Sequence, residues 1–194
     1  MFVLTELRDI VHVEPRDLGK PYHQAILDHI DKKYANRVII NIGLCIRTFD
    51  LLHIDEPFIA PGEGTLQTRV HFRMIVFRPF KGEVFRGKIR ACTTEGVLAS
   101  VGFFSDIVIP SSMLPEPREF NHEEQLWVWK CGGGDIFMDL EEEIVMKVNS
   151  EVFREQVPKP AGEQPSGGNS EVKPPYQLIC EMNEAGLGCP RWWT

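Results

Sequence analysis

A basic stripe in the middle of the sequence is its main candidate for chemistry. Between residues 69 and 90, seven cations stand against the single carboxylate of Glu83, so the local charge is +6. These cations are Arg69, Arg73, Arg78, Lys81, Arg86, Lys88 and Arg90. Because side chains alternate across a strand, Arg86, Lys88 and Arg90 all face solvent when the residues between them face a core. Such a row can bind the phosphates of single-stranded RNA, and an ordinary solvated strand face is the alternative.

Two adjacent aromatic residues, Phe103 and Phe104, are the candidates for stacking on RNA bases. Sites for single-stranded RNA use exposed aromatic rings in this way. Neighbouring residues of a strand point to opposite sides, so one of the two rings is expected to be buried in a core. With a single ring left for stacking, we expect RNA binding that is weak and tolerant of sequence.

Trp127 and Trp129 flank Val128, so both indoles lie on one face of an extended strand. Two large aromatic side chains on one face are rarely left uncovered in a monomer. They either pack beneath the C-terminal tail or belong to an interface with a partner protein, where Trp is enriched. The sequence leaves both alternatives open.

Side chains that could perform catalysis are scattered along the chain. No pair of histidines has the spacing of a metal site on a helix or lies beside an obvious nucleophile. The histidines are His12, His23, His29, His53, His71 and His122. The sequence therefore predicts no catalytic residue.

Two further motifs have simpler interpretations than chemistry. The run Glu141-Glu142-Glu143 points its carboxylates in different directions, which indicates a solvated turn and not a metal site. The run Cys131-Gly132-Gly133-Gly134-Asp135 lacks the Gly-Lys-Ser/Thr ending of a phosphate-binding loop, which favours a hairpin loop. We expect neither a metal nor a cofactor.

The composition limits the class of protein. The chain has 194 residues, a net charge of −7 and an isoelectric point near 5.4, which excludes an evenly basic surface that coats nucleic acid. Five cysteines without CxxC spacing are typical of reduced thiols in a cytosolic or nuclear protein. Charge appears too early for a signal peptide, and no apolar run approaches the roughly 20 residues that cross a bilayer. We therefore expect a soluble protein without a membrane partner.

The elements that position the basic stripe begin with an α+β domain over residues 1–80. Apolar and polar residues are mixed from Phe2 to Val13, and Glu14-Pro15 ends the pattern, which predicts a strand. A helix is predicted from Pro21 to near Asn36, with its apolar face formed by Ile26, Leu27, Ile30 and Tyr34. A long strand follows from Thr65, and residues 61–64 form a turn before it, either a plain hairpin turn or a docking loop.

The pattern of short strands in residues 81–157 predicts an all-β domain of the OB type, since five such strands in about 70 residues suit a small barrel. The predicted strands are Val84–Ala91, Val97–Phe103, Ile107–Ile109, Leu126–Lys130 and Ile144–Val148. Residues 158–175 contain five prolines, three glycines and two serines, which predicts a disordered loop. Residues 176–194 are expected to form a C-terminal strand and a tail that pack on the barrel.

The segment between the two predicted domains carries a resemblance to a known family. The run Val76-Phe77-Arg78-Pro79-Phe80-Lys81-Gly82-Glu83-Val84 resembles the junction of the archaeal and eukaryotic RNA polymerase stalk subunits. Pro61-Gly62-Glu63-Gly64 is similar to the tip loop of that family, and residues 41–46 are similar to the strand before it. Residues 102–110, 126–129 and 186–188, with Trp192 and Trp193, look most like the RNA polymerase III members.

This resemblance implies a non-catalytic larger stalk subunit that acts in the nucleus. Its tip domain would dock on the polymerase III core through Pro61, Gly62, Glu63 and Gly64, and its domain junction would be Phe77, Arg78, Pro79, Phe80, Lys81 and Gly82. The family also implies heterodimerisation with a small partner subunit and contact with emerging RNA. It further implies a part in the transcription of transfer RNAs and other short transcripts, where the stalk contributes to initiation and contacts initiation factors. A free-standing OB-fold RNA-binding protein in RNA processing or translation is the alternative function.

Overall fold

The computed structural model of the chain describes residues 1–59, 61–62, 64–131, 134–155 and 173–193. The chain divides into two compact units, Met1–Arg78 and Pro79–Thr194, which we call the tip unit and the barrel unit. In the segments that the structure describes, the fold is mostly β with one α-helix. No helix of these segments is long and apolar enough to cross a membrane. The predicted order of an α+β domain followed by an OB-type barrel is confirmed.

The tip unit is an antiparallel sheet with a helix on one face. Its elements are β1 (Phe2–Val13), α1 (Tyr22–Tyr34), β2 (Arg37–Ile39), β3 (Gly43–Ile54), β4 (Phe58–Ile59) and β5 (Leu66–Phe77). The strand order is β1-β5-β3-β2, and β4 pairs with β5. β1 pairs with β5 along its whole length, from Phe2 opposite Phe77 to Val13 opposite Leu66.

The core of the tip unit lies between α1 and the sheet. Alternate residues of β1 and β5 point toward the helix, as their period of two requires. The fully buried members of this core include Ile26, Ile30, Val70, Phe72, Met74 and Val76. The predicted helix is confirmed, but Leu27 is only half-buried and Ala25 takes the buried position beside Ile26. The helix stops at Tyr34, and Asn36 then adopts a positive φ of 58°.

The barrel unit closes five strands into a cylinder and carries a small second sheet. Its strands are β6 (Val84–Thr93), β7 (Gly96–Val101), β8 (Phe104–Pro110), β9 (Arg118–Asn121), β10 (Leu126–Cys131), β11 (Gly134–Phe137), β12 (Glu143–Phe153) and β13 (Tyr176–Glu181). The closed barrel runs β12-β13-β8-β7-β6, and β11-β10-β9 form a separate three-stranded sheet. Ile89, Ile107, Ile144 and Leu178 are fully buried in the unit.

The prediction that Leu126–Lys130 is a barrel strand is wrong. This segment is β10, the middle strand of the small sheet, and the fifth barrel strand is β13 at the C-terminal end of the chain. β13 alternates buried and half-buried residues, whereas β10 buries the neighbouring residues Trp127 and Val128. The sequence of neither segment shows which of them closes the barrel. β13 closes it because it pairs antiparallel with β12 and parallel with β8.

Two boundaries of the predicted elements also require comment. The strand predicted to end at Phe103 ends at Val101, because Gly102 turns the chain with a φ of 51° before β8 begins at Phe104. Of the predicted disordered loop, residues 158–172 lie outside the described residues. β10 and β11 form a hairpin with Cys131 opposite Gly134, and Gly132 and Gly133 also lie outside the described residues.

Candidate functional site

The basic row lies on the outside of the barrel unit. Arg86, Lys88 and Arg90 are exposed on β6, whereas the intervening Gly87 and Ile89 are buried. The barrel wall requires glycine at position 87, because a Cβ there would lie 2.7 Å from the carbonyl oxygen of Ser100. The strand therefore turns its three cations to solvent, as the alternation in sequence predicts.

The three cations differ in their partners. The Arg86 guanidinium lies 3.3 Å from the Glu143 carboxylate, and Arg90 donates a hydrogen bond of 3.4 Å to the Ser105 carbonyl. Within the part of the chain that the structure describes, the Lys88 ammonium has no hydrogen-bond or ion-pair partner. Lys88 is thus the cation of the row most available to an external anion.

A shallow depression accompanies this row. Its volume is about 380 Å³, and it is lined by Arg86, Gly87, Lys88, Ser100, Val101, Gly102 and Glu143. Its two glycines are Gly87 of β6, which is buried, and Gly102, which follows β7 and is exposed. The depression therefore places a small open surface beside Arg86 and Lys88.

The aromatic pair divides as expected. Phe104 is buried and its ring packs 5.6 Å from the ring of Tyr176, whereas Phe103 is 57% exposed. Phe103 follows Gly102, which is one of the residues of the depression. The exposed ring is therefore placed near the basic row, where it could stack on a base.

The tip loop reverses the chain between β4 and β5. Ile59 pairs with Leu66 on either side of it, and Gly62 and Gly64 adopt φ values of 87° and 65°. Glu63 lies outside the described residues. The two residues before the loop, Phe58 and Ile59, are apolar but 58% and 62% exposed. The loop therefore combines left-handed glycines with exposed apolar side chains.

The junction run separates into a buried part and a turn. Phe77 is fully buried, and Arg78 donates a hydrogen bond of 2.5 Å from its guanidinium to the Asn41 carbonyl. In the turn that follows, the Glu83 N–H donates to the Phe80 carbonyl at 3.1 Å, and Gly82 has a φ of 87°. Phe80 is 66% exposed at this turn.

The two tryptophans of β10 contact different elements. The Trp127 indole is buried and donates a hydrogen bond of 2.8 Å to the Thr93 carbonyl at the end of β6. The Trp129 ring packs 5.0 Å from Trp192 of the C-terminal tail. Trp129 therefore packs against the tail, and Trp127 joins the small sheet to the barrel.

The described residues 183–193 of the tail form a strap, whereas the sequence predicted only that residues 176–194 pack on the barrel. Gly188 and Val145 exchange two backbone hydrogen bonds of 2.8 Å, which adds a short bridge to β12. Arg191 lies 2.6 Å from the Glu142 carboxylate and 3.1 Å from Asp139. In the sequence, the residues that could have indicated this contact are Gly186, Gly188 and Arg191.

Two buried thiols of the chain, Cys45 and Cys180, have raised pKa values. Burial raises the pKa of Cys45 to about 11, and burial together with the nearby charge of Glu181 raises that of Cys180 to about 12. A nucleophilic thiol instead requires a lowered pKa. Among the described residues, no group of His, Cys, Asp and Glu side chains could hold a metal ion.

Comparison with known proteins identifies the family. The family model described as RNA polymerase III subunit Rpc25 matches residues 83–193, more than half of the chain. The chain belongs to the Rpc25 family. A second model, described as the SHS2 domain found in the N terminus of Rpb7p and Rpc25p, matches residues 8–64. The Rpc25 match covers the barrel unit, and the SHS2 match runs from β1 to the tip loop.

Relatives of known name agree with this membership. DNA-directed RNA polymerase III subunit RPC8 of Bos taurus is 40% identical over all of this chain and 99% of its own length. The subunit of the same name in Schizosaccharomyces pombe is 41% identical over the whole of both chains. DNA-directed RNA polymerase II subunit RPB7 of Saccharomyces cerevisiae is 32% identical over 62% of this chain and 71% of its own length. The stalk-subunit resemblance inferred from the junction run is thereby confirmed, and the two polymerase III relatives match the whole chain.

The barrel unit has two features that a minimal barrel lacks, the small sheet and the C-terminal strap. Both fall within the residues matched by the Rpc25 model. The similarity to the RPB7 relative covers less of the chain.

Proposed function

We propose that this chain is the larger stalk subunit of nuclear RNA polymerase III and that it has no catalytic role of its own. The observation that carries this proposal is the similarity to polymerase III subunits along the whole chain, at 40% identity and above for two of them. The raised pKa values of the buried thiols are consistent with a role in assembly rather than in bond chemistry.

The tip loop docks the subunit on the polymerase core. Support comes from the exposed apolar pair Phe58 and Ile59 beside Gly62 and Gly64, because apolar side chains next to a compact reversal can enter a cleft of another protein. The exposed Phe80 of the junction turn is a second apolar contact point.

A small partner subunit covers the face of the tip sheet opposite α1. That face carries Phe2, Leu4, Ile10 and Phe49, which are between 44% and 54% exposed. Their strand neighbours Val11 and Val13 point the other way and are buried against the helix. Exposed apolar side chains on one face favour a protein partner there. We accordingly expect the subunit to be less soluble when it is expressed without this partner.

The barrel unit guides the emerging transcript through its basic row. Lys88 without an internal partner, the adjacent depression and the exposed Phe103 together support weak, sequence-tolerant binding of single-stranded RNA. The charge at this row is local, because the whole chain has a net charge of −7.

The test of the stalk role is affinity purification of the tagged chain from its own cells at moderate salt, followed by mass spectrometry. We expect RNA polymerase III subunits with a small stalk partner at equal stoichiometry. Recovery of RNA-processing or translation factors without polymerase would contradict the stalk role and favour a free-standing OB-fold RNA-binding protein.

The RNA role has a separate test in the triple variant Arg86→Gln, Lys88→Gln and Arg90→Gln. The logarithm of the affinity falls linearly with the logarithm of the salt concentration, and each lost phosphate contact makes this slope less steep by about 0.7. We therefore expect the magnitude of the slope to decrease by roughly two for the triple variant. The matched control is Arg47→Gln, an exposed arginine of the tip unit, with 78% of its side chain accessible. An equal decrease in the control would remove the basic row from the RNA site.

A further inference from the structure

A charged cavity lies along one side of α1 in the tip unit. The segment before the helix and Arg37 of β2 complete its lining. Its volume is about 450 Å³. Its lining comprises Val13, Glu14, Arg16, Asp17, Lys20, Ala25, Asp28, His29, Lys32, Lys33 and Arg37. Five of these residues are cations and three are carboxylates, so the cavity has an excess of two positive charges in a chain whose net charge is −7.

The ion pairs within the lining leave two cations available. Arg16 lies 2.7 Å from Glu14, and Lys20 lies 3.1 Å from Asp17 and 3.3 Å from Asp28, so each lining carboxylate already has a cation. Lys33 lies 2.6 Å from Asp9 outside the lining. Within the described residues, Lys32 and Arg37 have no side-chain partner. The excess charge is therefore concentrated at these two residues, which are exposed.

The cavity is close to the tip loop. A Cβ placed on Gly64 would lie 3.8 Å from the ring of Pro15, and the neighbours of Pro15 on both sides, Glu14 and Arg16, line the cavity. A protein surface that contacts the loop at Gly64 is thereby brought next to the cavity.

We propose that this cavity binds an acidic peptide segment of the polymerase surface on which the tip loop docks, with a carboxylate of that segment held between Lys32 and Arg37. This inference rests on the proposed function, because it assumes docking through the tip loop. It adds a second, electrostatic contact to a docking surface that is otherwise apolar.

A peptide carboxylate suits the cavity better than nucleic acid does. The positive excess of the cavity is only two charges, which suits one or two carboxylates better than a long chain of phosphates. The lining contains no Phe, Tyr or Trp side chain on which a base could stack, and the imidazole of His29 is half-buried.

His29 reports directly on the occupancy of the cavity. Burial lowers its pKa, and the charges of Lys33, His12 and Lys32 lower it further, against the opposite effect of Asp9. A carboxylate bound at Lys32 and Arg37 adds negative charge near the imidazole and therefore raises the pKa of His29.

The first test is NMR titration of His29 in the full-length chain. The probe is an acetylated peptide of six glutamates, with a hexaglutamine peptide and a single-stranded RNA oligonucleotide as comparisons. We expect a saturable shift of the His29 resonances and a rise in its pKa with the glutamate peptide alone. The exposed substitutions Lys32→Gln and Arg37→Gln should each weaken this binding by about fivefold, the effect of losing one surface ion pair. No response to the glutamate peptide, or an equal response to RNA, overturns the proposal.

The second test separates this inference from the stalk role. The tagged double variant Lys32→Glu and Arg37→Glu is purified from cells beside the unaltered chain and beside a control with the same change in charge. This control is Lys130→Glu and Lys173→Glu, at two exposed lysines of the barrel unit that lie outside the basic row. A lower yield of polymerase core for the first variant alone, with an unchanged melting temperature, supports the cavity as an anchor. Equal yields from all three chains overturn the anchor and leave the stalk role intact. No polymerase with the unaltered chain overturns the stalk role, and the anchor with it.

Discussion

The two units differ in how their sheets are completed. The tip sheet is open: β1 and β2 are its edges, and α1 covers only one of its faces. The barrel unit closes β6, β7, β8, β12 and β13 on one another, so its five barrel strands have no free edge. An open sheet leaves apolar surface for other chains, whereas a closed barrel satisfies its own strands and leaves its outer side chains free for a solvated ligand.

This difference also changes where each unit obtains its stability. The tip unit is completed within residues 1–78, and its longest pairing joins β1 to β5. The barrel unit depends on β13, which begins at Tyr176 and follows the other barrel strands by more than twenty residues of sequence. The barrel is therefore the unit that a C-terminal change can open.

Truncation after Glu155 is the strongest test of this comparison. It removes β13 and with it the buried side chains of Tyr176, Leu178 and Cys180. Burial of each large side chain stabilises by about 1.5–3 kcal/mol, and a domain has only about 5–15 kcal/mol in total. We expect the barrel unit to unfold while amide resonances of the tip unit keep their dispersion in a two-dimensional NMR spectrum.

Truncation after Met182 is the matched control, because it keeps β13 and removes only the strap. The barrel unit should then remain folded with reduced stability. If the truncation after Glu155 left the barrel resonances in place, or unfolded the tip unit as well, the two units would not differ in the way that their sheets suggest.

The sequence predicted the elements of both units better than it predicted their connections. The alternation along β1 and β5 identifies their buried faces because one face packs on α1, and the same rule placed Arg86, Lys88 and Arg90 outside the barrel. It could not distinguish β10 from β13 as the closing strand, since only long-range pairing decides which short apolar segment enters the barrel.

Contacts between distant segments were the other part that could not be predicted. Trp129 meets Trp192 because the tail returns over the small sheet, and no local pattern records that return. The cavity of the tip unit likewise needs Arg16, Lys32 and Arg37, which come together only when α1 folds back on the sheet. Local periodicity predicts strand faces, but the contacts that build sites depend on topology.

The strap gives a second, smaller test of how the barrel is completed. Gly188 has a φ of 89°, and a Cβ there would lie 2.5 Å from Trp192 Cε3. Gly188→Ala therefore combines left-handed backbone strain of about 1–2 kcal/mol with overpacking of about 1–3 kcal/mol. We expect a loss of about 2–5 kcal/mol in the free energy of unfolding of the barrel unit, together with a change in tryptophan fluorescence.

Gly186→Ala separates these two causes. Gly186 has a similar φ of 85°, but no atom lies within 4 Å of the position of its Cβ. This variant should lose only the backbone contribution, about 1–2 kcal/mol, and should keep the fluorescence of the unaltered chain. Equal effects of the two substitutions would mean that Trp192 does not hold the strap against Gly188.

The smallest test uses pH, to which the two units should respond in opposite directions. Burial by itself raises the pKa of Asp9 in β1, but hydrogen bonds from Lys33 and Tyr34 of α1 and from the Ile10 N–H, together with the Lys33 charge, outweigh it and leave the pKa below its ordinary value. In the barrel unit, burial raises the pKa of Asp106, and the charge of Arg90 only partly opposes this.

The sign of the effect follows from linkage between protonation and folding. The depressed pKa of Asp9 stabilises the tip unit above the unfolded pKa of about 4, and this stability is lost as pH falls through the folded value. The raised pKa of Asp106 makes its contribution to the barrel unit more favourable as pH falls through the folded value toward about 4. Asp9→Asn should destabilise the tip unit by about 1 kcal/mol at neutral pH and flatten its acid dependence, and Asp106→Asn should stabilise the barrel unit there. Urea unfolding from pH 3 to pH 7, followed by resonances of each unit, measures both, and a shift of the same sign in the two units would contradict this assignment.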